Sequence, residues 1–293
     1  MEPDFSAGSI NPERARRRQQ RRFRRVPINI LLPNAVTLLG LTAGLTAIRF
    51  AVEGRFPDAA LAILVAALLD ALDGRIARLL RGTSRFGAEL DSLADIVNFG
   101  VAPAVVLYAW SLNGLGALGW IVAMVFAVCC ALRLARFNVA LEDPDRPSWM
   151  AQFFVGVPAP AGALLVLLPL YLTLLDIPAP PFGAGFTLVF TAVVAMLMVS
   201  RLPTFSAKMM GQRVRRDMVL PGLVIFAVFA GVLASYTWQT LAVCSLVYLL
   251  AIPFAAYRHR QYAAGRRSLA EPKTEPDTVP DEEVPDEEVA EKE

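Results

Sequence analysis

The chain has 293 residues, 56% of them hydrophobic and 18% charged, with a mean hydropathy of +0.50; this excludes an ordinary soluble domain and points to a polytopic membrane protein. The net charge of +2 hides a strongly basic N-terminus and a strongly acidic C-terminus. Three cysteines (Cys129, Cys130, Cys244) lie in apolar runs without metal-ligand spacing, and the single histidine is His259, so a disulfide framework, a zinc site and a histidine-based triad are excluded.

Residues 1–27 form a basic segment, RARRRQQRRFRR from Arg14 to Arg25. With membrane spans behind it, its natural partner is anionic lipid rather than nucleic acid. A first span over roughly Leu31–Ala51 opens with Pro33, Asn34 and Thr37, the last two sharing a helical face. The second span, roughly Ala59–Leu80, is oil in its first part and carries Asp70, Asp73, Arg75 and Arg78 in its second. A turn follows over Arg81–Phe86, punctuated by Gly82, Thr83 and Ser84. The third span, roughly Phe86–Trp110, has Gly87, Asp91 and Asp95 at four-residue steps. Its deeper half is apolar except for Asn98, Gly100 and Pro103.

The fourth span, roughly Gly116–Leu134, leaves the membrane through LRLARFN, with Arg133, Arg136 and Asn138 at its end. The fifth starts within Phe153–Gly162, where Pro158 and Pro160 suit a helix start. The sixth covers roughly Ala184–Val199. The seventh and eighth, roughly Val219–Ala234 and Thr240–Tyr257, read as a hairpin with Tyr236 and Trp238 near its turn. The catalytic unit is thus residues 28–262. Residues 263–293 form a tail rich in Pro, Glu and Asp that reads as disordered and without chemistry.

Eight spans put both termini on one side, together with all the basic loops. By the positive-inside rule that side, and the Asp-rich stretch with it, is cytoplasmic. The expectation is an integral protein of a prokaryotic inner or plasma membrane.

Asp70 and Asp73 are three residues apart, and Asp91 and Asp95 four apart, so each pair occupies one helical face. Carboxylates beside hydrocarbon are costly. Small residues (Gly74, Ala77, Gly87, Ala88) accompany them and permit close packing. Two such faces brought together make an oxygen-only cluster suited to a hard cation, Mg²⁺ or Mn²⁺. The substrate of such a site is a phosphate or pyrophosphate. A transporter using paired carboxylates for ion coupling is the alternative, although those sites tend to lie near the midplane.

The stretch from Asp70 to Asp95 closely resembles the signature of the CDP-alcohol phosphatidyltransferases, D-x2-D-G-x2-A-R-x8-G-x3-D-x3-D. Asp70, Asp73, Gly74, Ala77, Arg78, Gly87, Asp91 and Asp95 meet every position. Finer features are similar to the branch that uses serine: PNAVT (Pro33–Thr37), FGAELDSLADIVNFGVAPA (Phe86–Ala104), LRLARFN (Leu132–Asn138), VGVPAPA (Val155–Ala161) and SRLPTFSAK (Ser200–Lys208). The glycerophosphate-using branch usually has Pro and Lys where this chain has Ser92 and Ile96.

The apolar runs give an all-α fold of about eight transmembrane helices, and the resemblance implies that it is the CDP-alcohol phosphatidyltransferase fold. It implies transfer of the phosphatidyl group from CDP-diacylglycerol to L-serine, releasing CMP. Asp70, Asp73 and Asp91 would bind the divalent metal, and Asp95 would be the general base on the serine hydroxyl. Asn34, Thr37, Gly74, Ala77, Arg78 and Gly87 would contact nucleotide or phosphate. Arg133, Arg136 and Lys208 are the candidates for the serine carboxylate. A homodimer is the family expectation. Glycerol 3-phosphate and an inositol phosphate stay open as acceptors, because they would share the whole metal site.

Overall fold

The computed structural model describes residues 28–82, 84–142, 153–177, 183–200, 203–205 and 219–252. The basic head, the acidic tail, His259 and Lys208 lie outside the described residues. Helices dominate, as expected, with one small two-stranded ribbon added.

Helix α1 (Ile28–Val52) buries Pro33, Thr37, Gly40, Gly44, Ala47 and Ala51. These positions advance by four and three in alternation, so they form one stripe of mostly small residues. The opposite side exposes Leu31, Leu38, Leu39 and Leu45, a surface suited to lipid. Helix α2 (Phe56–Leu79) packs along α1. Its Pro57 sits in the first turn, where a missing N–H costs nothing. The short connection between them is braced by Arg49–Glu53 and Arg55–Asp58, each at 2.7 Å and solvent-exposed. The hydrogen bond from Arg49 holds the Glu53 carboxyl below the usual carboxylate range.

Helix α3 (Arg85–Asp95) starts at Ser84, whose Oγ accepts from Gly87 N at 3.0 Å, an N-cap that satisfies one orphan donor. A π turn over Ile96–Val101 joins it to α4 (Ala102–Trp110). The π turn contacts α1, α2, α5 (Ala117–Glu142) and α6 (Ala159–Val166), so it lies at the centre of the bundle. Phe99, Val106 and Leu107 are fully buried there, with Phe126 of α5. Helix α7 (Leu168–Leu174) follows α6 directly, and α8 (Gly183–Val199) packs on α5.

Strand β1 (Phe153–Val155) pairs antiparallel with β2 (Pro203–Phe205), in the register Phe153 to Phe205. Gly156 then turns the chain at φ +82° against the end of α8, 2.6 Å from Met198 O by the position a Cβ would take. No other residue type fits that combination of dihedral and contact. Helices α9 (Val219–Ser235) and α10 (Thr237–Ile252) complete the described chain. Trp238 of α10 stacks on buried Tyr171 of α7, with ring centroids 6.2 Å apart.

The expectation of about eight transmembrane helices is overturned. Among the described residues three helices are long and apolar enough to cross a membrane: Ile28–Val52, Arg85–Trp110 and Ala117–Ala140. A fourth is added if α9 and α10, bent by 118°, count as one broken span. The other apolar runs fall short for identifiable reasons. The far end of α2 is charged with Asp70, Asp73, Arg75 and Arg78. The fifth run breaks into α6 and α7 at Leu167, two residues before Pro169. Helix α8 is only 17 residues long, against roughly 20 needed to cross the hydrocarbon. The argument that an even number of spans puts both termini on one side goes with the count.

Candidate active site

The polar ends of α2 and α3 carry the signature residues. Among the described residues, Asp70, Asp91 and Asp95 offer carboxylate oxygens that all lie within 4.8 Å of one another. Each is half-buried. Asp70 on α2 and Asp95 on α3 thus face each other across the two helices. Ionised carboxylates this close repel one another, and a proton or a cation between them relieves the repulsion. A set of only carboxylate oxygens at this spacing fits a hard divalent cation.

This trio differs from the expected metal set in one member. Asp73, expected beside Asp70 and Asp91, is 5% exposed. Its Oδ2 accepts from Thr37 Oγ1 at 2.7 Å. Thr37, expected at the nucleotide, is buried and ties α1 to α2 through that bond. Its Oγ1 is also 3.1 Å from Pro33 O. Asp95, expected as the base, has joined the cluster.

The expected nucleotide residues surround the same ends. Gly74 faces open space, with no atom within 4 Å of where a Cβ would be. Arg78 Nε donates to Gly74 O at 2.9 Å, which ties its exposed guanidinium to the backbone one turn back. Ala77 is half-buried one turn from Asp73. Gly87 lies under Asn34, whose Oδ1 would be 2.7 Å from a Cβ at Gly87. The first turn of α3 and the start of α1 therefore meet at the site.

The acceptor candidates separate. Arg133 is 8% exposed and its guanidinium lies over Phe137 at 5.6 Å. Its charge is felt at Asp95 and Asp70. Arg136 donates to Val199 O at 2.9 Å and to Ser200 O at 3.2 Å, so it caps the C-terminal end of α8. Lys208 lies outside the described residues. One further link joins two branch features that the sequence alone leaves unconnected. Asn138 Nδ2 of α5 donates to Ser92 Oγ of α3 at 2.9 Å, and Ser92 Oγ donates to Ala88 O at 3.0 Å. Forty-six residues separate that pair, so no helical periodicity could have matched them.

The family pattern described as CDP-alcohol phosphatidyltransferase matches residues 30–198. A second, CDP-alcohol phosphatidyltransferase 2, matches residues 217–253. The CDP-diacylglycerol–serine O-phosphatidyltransferase of Mycobacterium leprae is 44% identical over 241 residues, which cover 80% of this chain and 77% of that protein. Its namesake in Mycobacterium tuberculosis is 41% identical, covering 80% of each. The protein of that name in Bacillus subtilis is 38% identical over 138 residues, 47% of this chain and 74% of its own.

Proposed function

The chain belongs to the CDP-alcohol phosphatidyltransferase family, and from that premise we propose that it transfers the phosphatidyl group of CDP-diacylglycerol to L-serine, giving phosphatidylserine and CMP. The observation that carries this reading is the match to the mycobacterial serine O-phosphatidyltransferases across four fifths of the chain, with the full aspartate signature inside the matched region. The chain is an integral membrane enzyme.

Asp70 and Asp91, with Asp73 or Asp95 completing the set, hold Mg²⁺ or Mn²⁺ in this reading. Bound there, the cation supplies Lewis-acid stabilisation of the pyrophosphate and of departing CMP. Gly74 and Ala77 leave room for the nucleotide, and Arg78, hydrogen-bonded to Gly74 O, meets phosphate. Asn34 and Gly87 border the same space. Asp95 accepts the proton of the serine hydroxyl as it attacks phosphorus directly, because among the described residues no Cys, His or Ser is set up as a covalent nucleophile. Support for Asp95 as base comes from its membership of the carboxylate cluster, one turn from Asp91. Arg133 is the preferred partner for the serine carboxylate, since Arg136 is engaged by the carbonyls of α8. The basic residues that follow the site favour a cytoplasmic orientation, in the inner or plasma membrane of a bacterium. Residues 28–262 form the catalytic unit. The family extends the reading to a homodimer.

The test supplies purified protein with CDP-diacylglycerol, Mg²⁺ or Mn²⁺, and serine, glycerol 3-phosphate or inositol phosphate in parallel. CMP release is expected with serine and is abolished by EDTA, then restored by excess metal. Release only with another acceptor would overturn the assignment of serine.

A further inference from the structure

The π turn that joins α3 to α4 holds the one strongly polar residue of the deep span, Asn98. In the sequence it stands seven residues after Asp91 and three after Asp95. Asn98 is 2% exposed, and its Oδ1 has no hydrogen-bond partner among the described residues. It lies on α1, on the glycine stripe: a Cβ at Gly44 would overlap Asn98 Oδ1 and come within 3.0 Å of its Cγ, and one at Gly40 would be 3.7 Å from its Nδ2. On the other side of the turn, Gly100 faces α5, where a Cβ would sit 3.2 Å from Cys130 Cβ. The turn is therefore held between two helices at closest packing. A π turn takes up an extra residue, and each helical residue advances the face by about 100°. The turn thus sets how the polar face of α3 is rotated relative to the apolar faces of α4.

We propose that Asn98 is a positioning residue for the carboxylate cluster: seated on Gly44 of α1, it fixes the rotation at which the Asp91–Asp95 face of α3 meets Asp70 of α2. Helix α1 packs on both α2 and α3, so a seat on α1 references both halves of the cluster to one support. An apolar side chain would fill the same volume without the cost of burying an amide. The inference rests on the reading of Asp70, Asp91 and Asp95 as a metal site.

The experiment measures Mn²⁺ binding to purified protein in nanodiscs, without substrates, by the electron paramagnetic resonance signal of free Mn²⁺. The steady-state kinetics of the same samples are recorded beside it. Asn98→Ala empties the seat and Gly44→Ala overfills it. Each is expected to weaken Mn²⁺ binding by about tenfold or more, the usual effect of disturbing the groups that orient metal ligands, with a fall in kcat and little change in KM for serine. The double variant Gly44→Ala/Asn98→Ala puts a methyl on one wall for the volume lost from the other, and its affinity is expected to return to within about threefold of the parent. Asn98→Ser, a milder change, covers the case in which Asn98→Ala does not fold; it is expected to weaken binding by about threefold or more. Variants that bind Mn²⁺ like a tightly binding parent, or a double variant no better than either single one, would overturn the positioning role alone. A parent that binds no Mn²⁺, or binding unchanged by Asp91→Asn, would overturn the metal-site reading and this proposal with it.

Discussion

Asp95 stands between two roles, since its carboxylate lies in the cluster with Asp70 and Asp91 while the proposed chemistry asks it for a proton acceptor. Asp95→Asn separates them. The amide keeps shape and one oxygen but cannot take the proton, so kcat should fall by about 10²–10⁴ with Mn²⁺ affinity and KM for CDP-diacylglycerol nearly unchanged. A parallel collapse of Mn²⁺ binding would make Asp95 a ligand first. Thr37 poses a simpler question. Its hydroxyl donates to buried Asp73, and Thr37→Val removes that donor at constant volume. The unsatisfied carboxylate should lower stability by about 1–3 kcal/mol, read as a lower unfolding temperature in detergent, and Thr37→Ser should restore most of it.

Between elements, two links place α5 against its neighbours. Arg136 binds the last carbonyls of α8. As a cap, Arg136→Ala should cost about 1.5–3 kcal/mol, the range for hydrogen bonds from a charged donor, and leave KM for serine within about twofold. A large rise in that KM at normal stability would return Arg136 to the acceptor pocket. The Ser92–Asn138 bond joins α3 to α5. A double-mutant cycle with Ser92→Ala and Asn138→Ala should show a coupling of about 0.5–1.5 kcal/mol in unfolding stability; strict additivity would mean that the bond does not hold the helices together.

For the whole molecule, the open side of the site is a matter of orientation. Gly74 is exposed and faces open space, so Gly74→Cys, with the native cysteines replaced by Ala, is a reporter. A membrane-impermeant maleimide should label it in inverted inner-membrane vesicles and not in intact cells. The reverse pattern would refute the cytoplasmic placement. The exposed leucines of α1 and the exposed apolar side chains of α9, Leu223 and Phe226 among them, require the protein to be kept in detergent or lipid for all these measurements.

Much of this was legible in the chain itself. Composition establishes a membrane protein, the eight signature positions carry the resemblance to the family that the matches then show, and helical periodicity puts each Asp pair on one face whatever the surrounding fold. Sequence could not say which carboxylates meet: Asp73 turns to Thr37 and Asp95 joins Asp70 and Asp91, a choice made by packing between helices distant in the chain. It overstated the number of spans: hydropathy does not register the break at Leu167, and the charged end of α2, though visible as Asp70, Asp73, Arg75 and Arg78, was counted into a span. It marked Asn98 only as an exception in an apolar run. The seat on Gly44, the π turn that delivers Asn98 to it, and the Asn138–Ser92 bond all depend on which faces come together in space, and only the tertiary structure decides that.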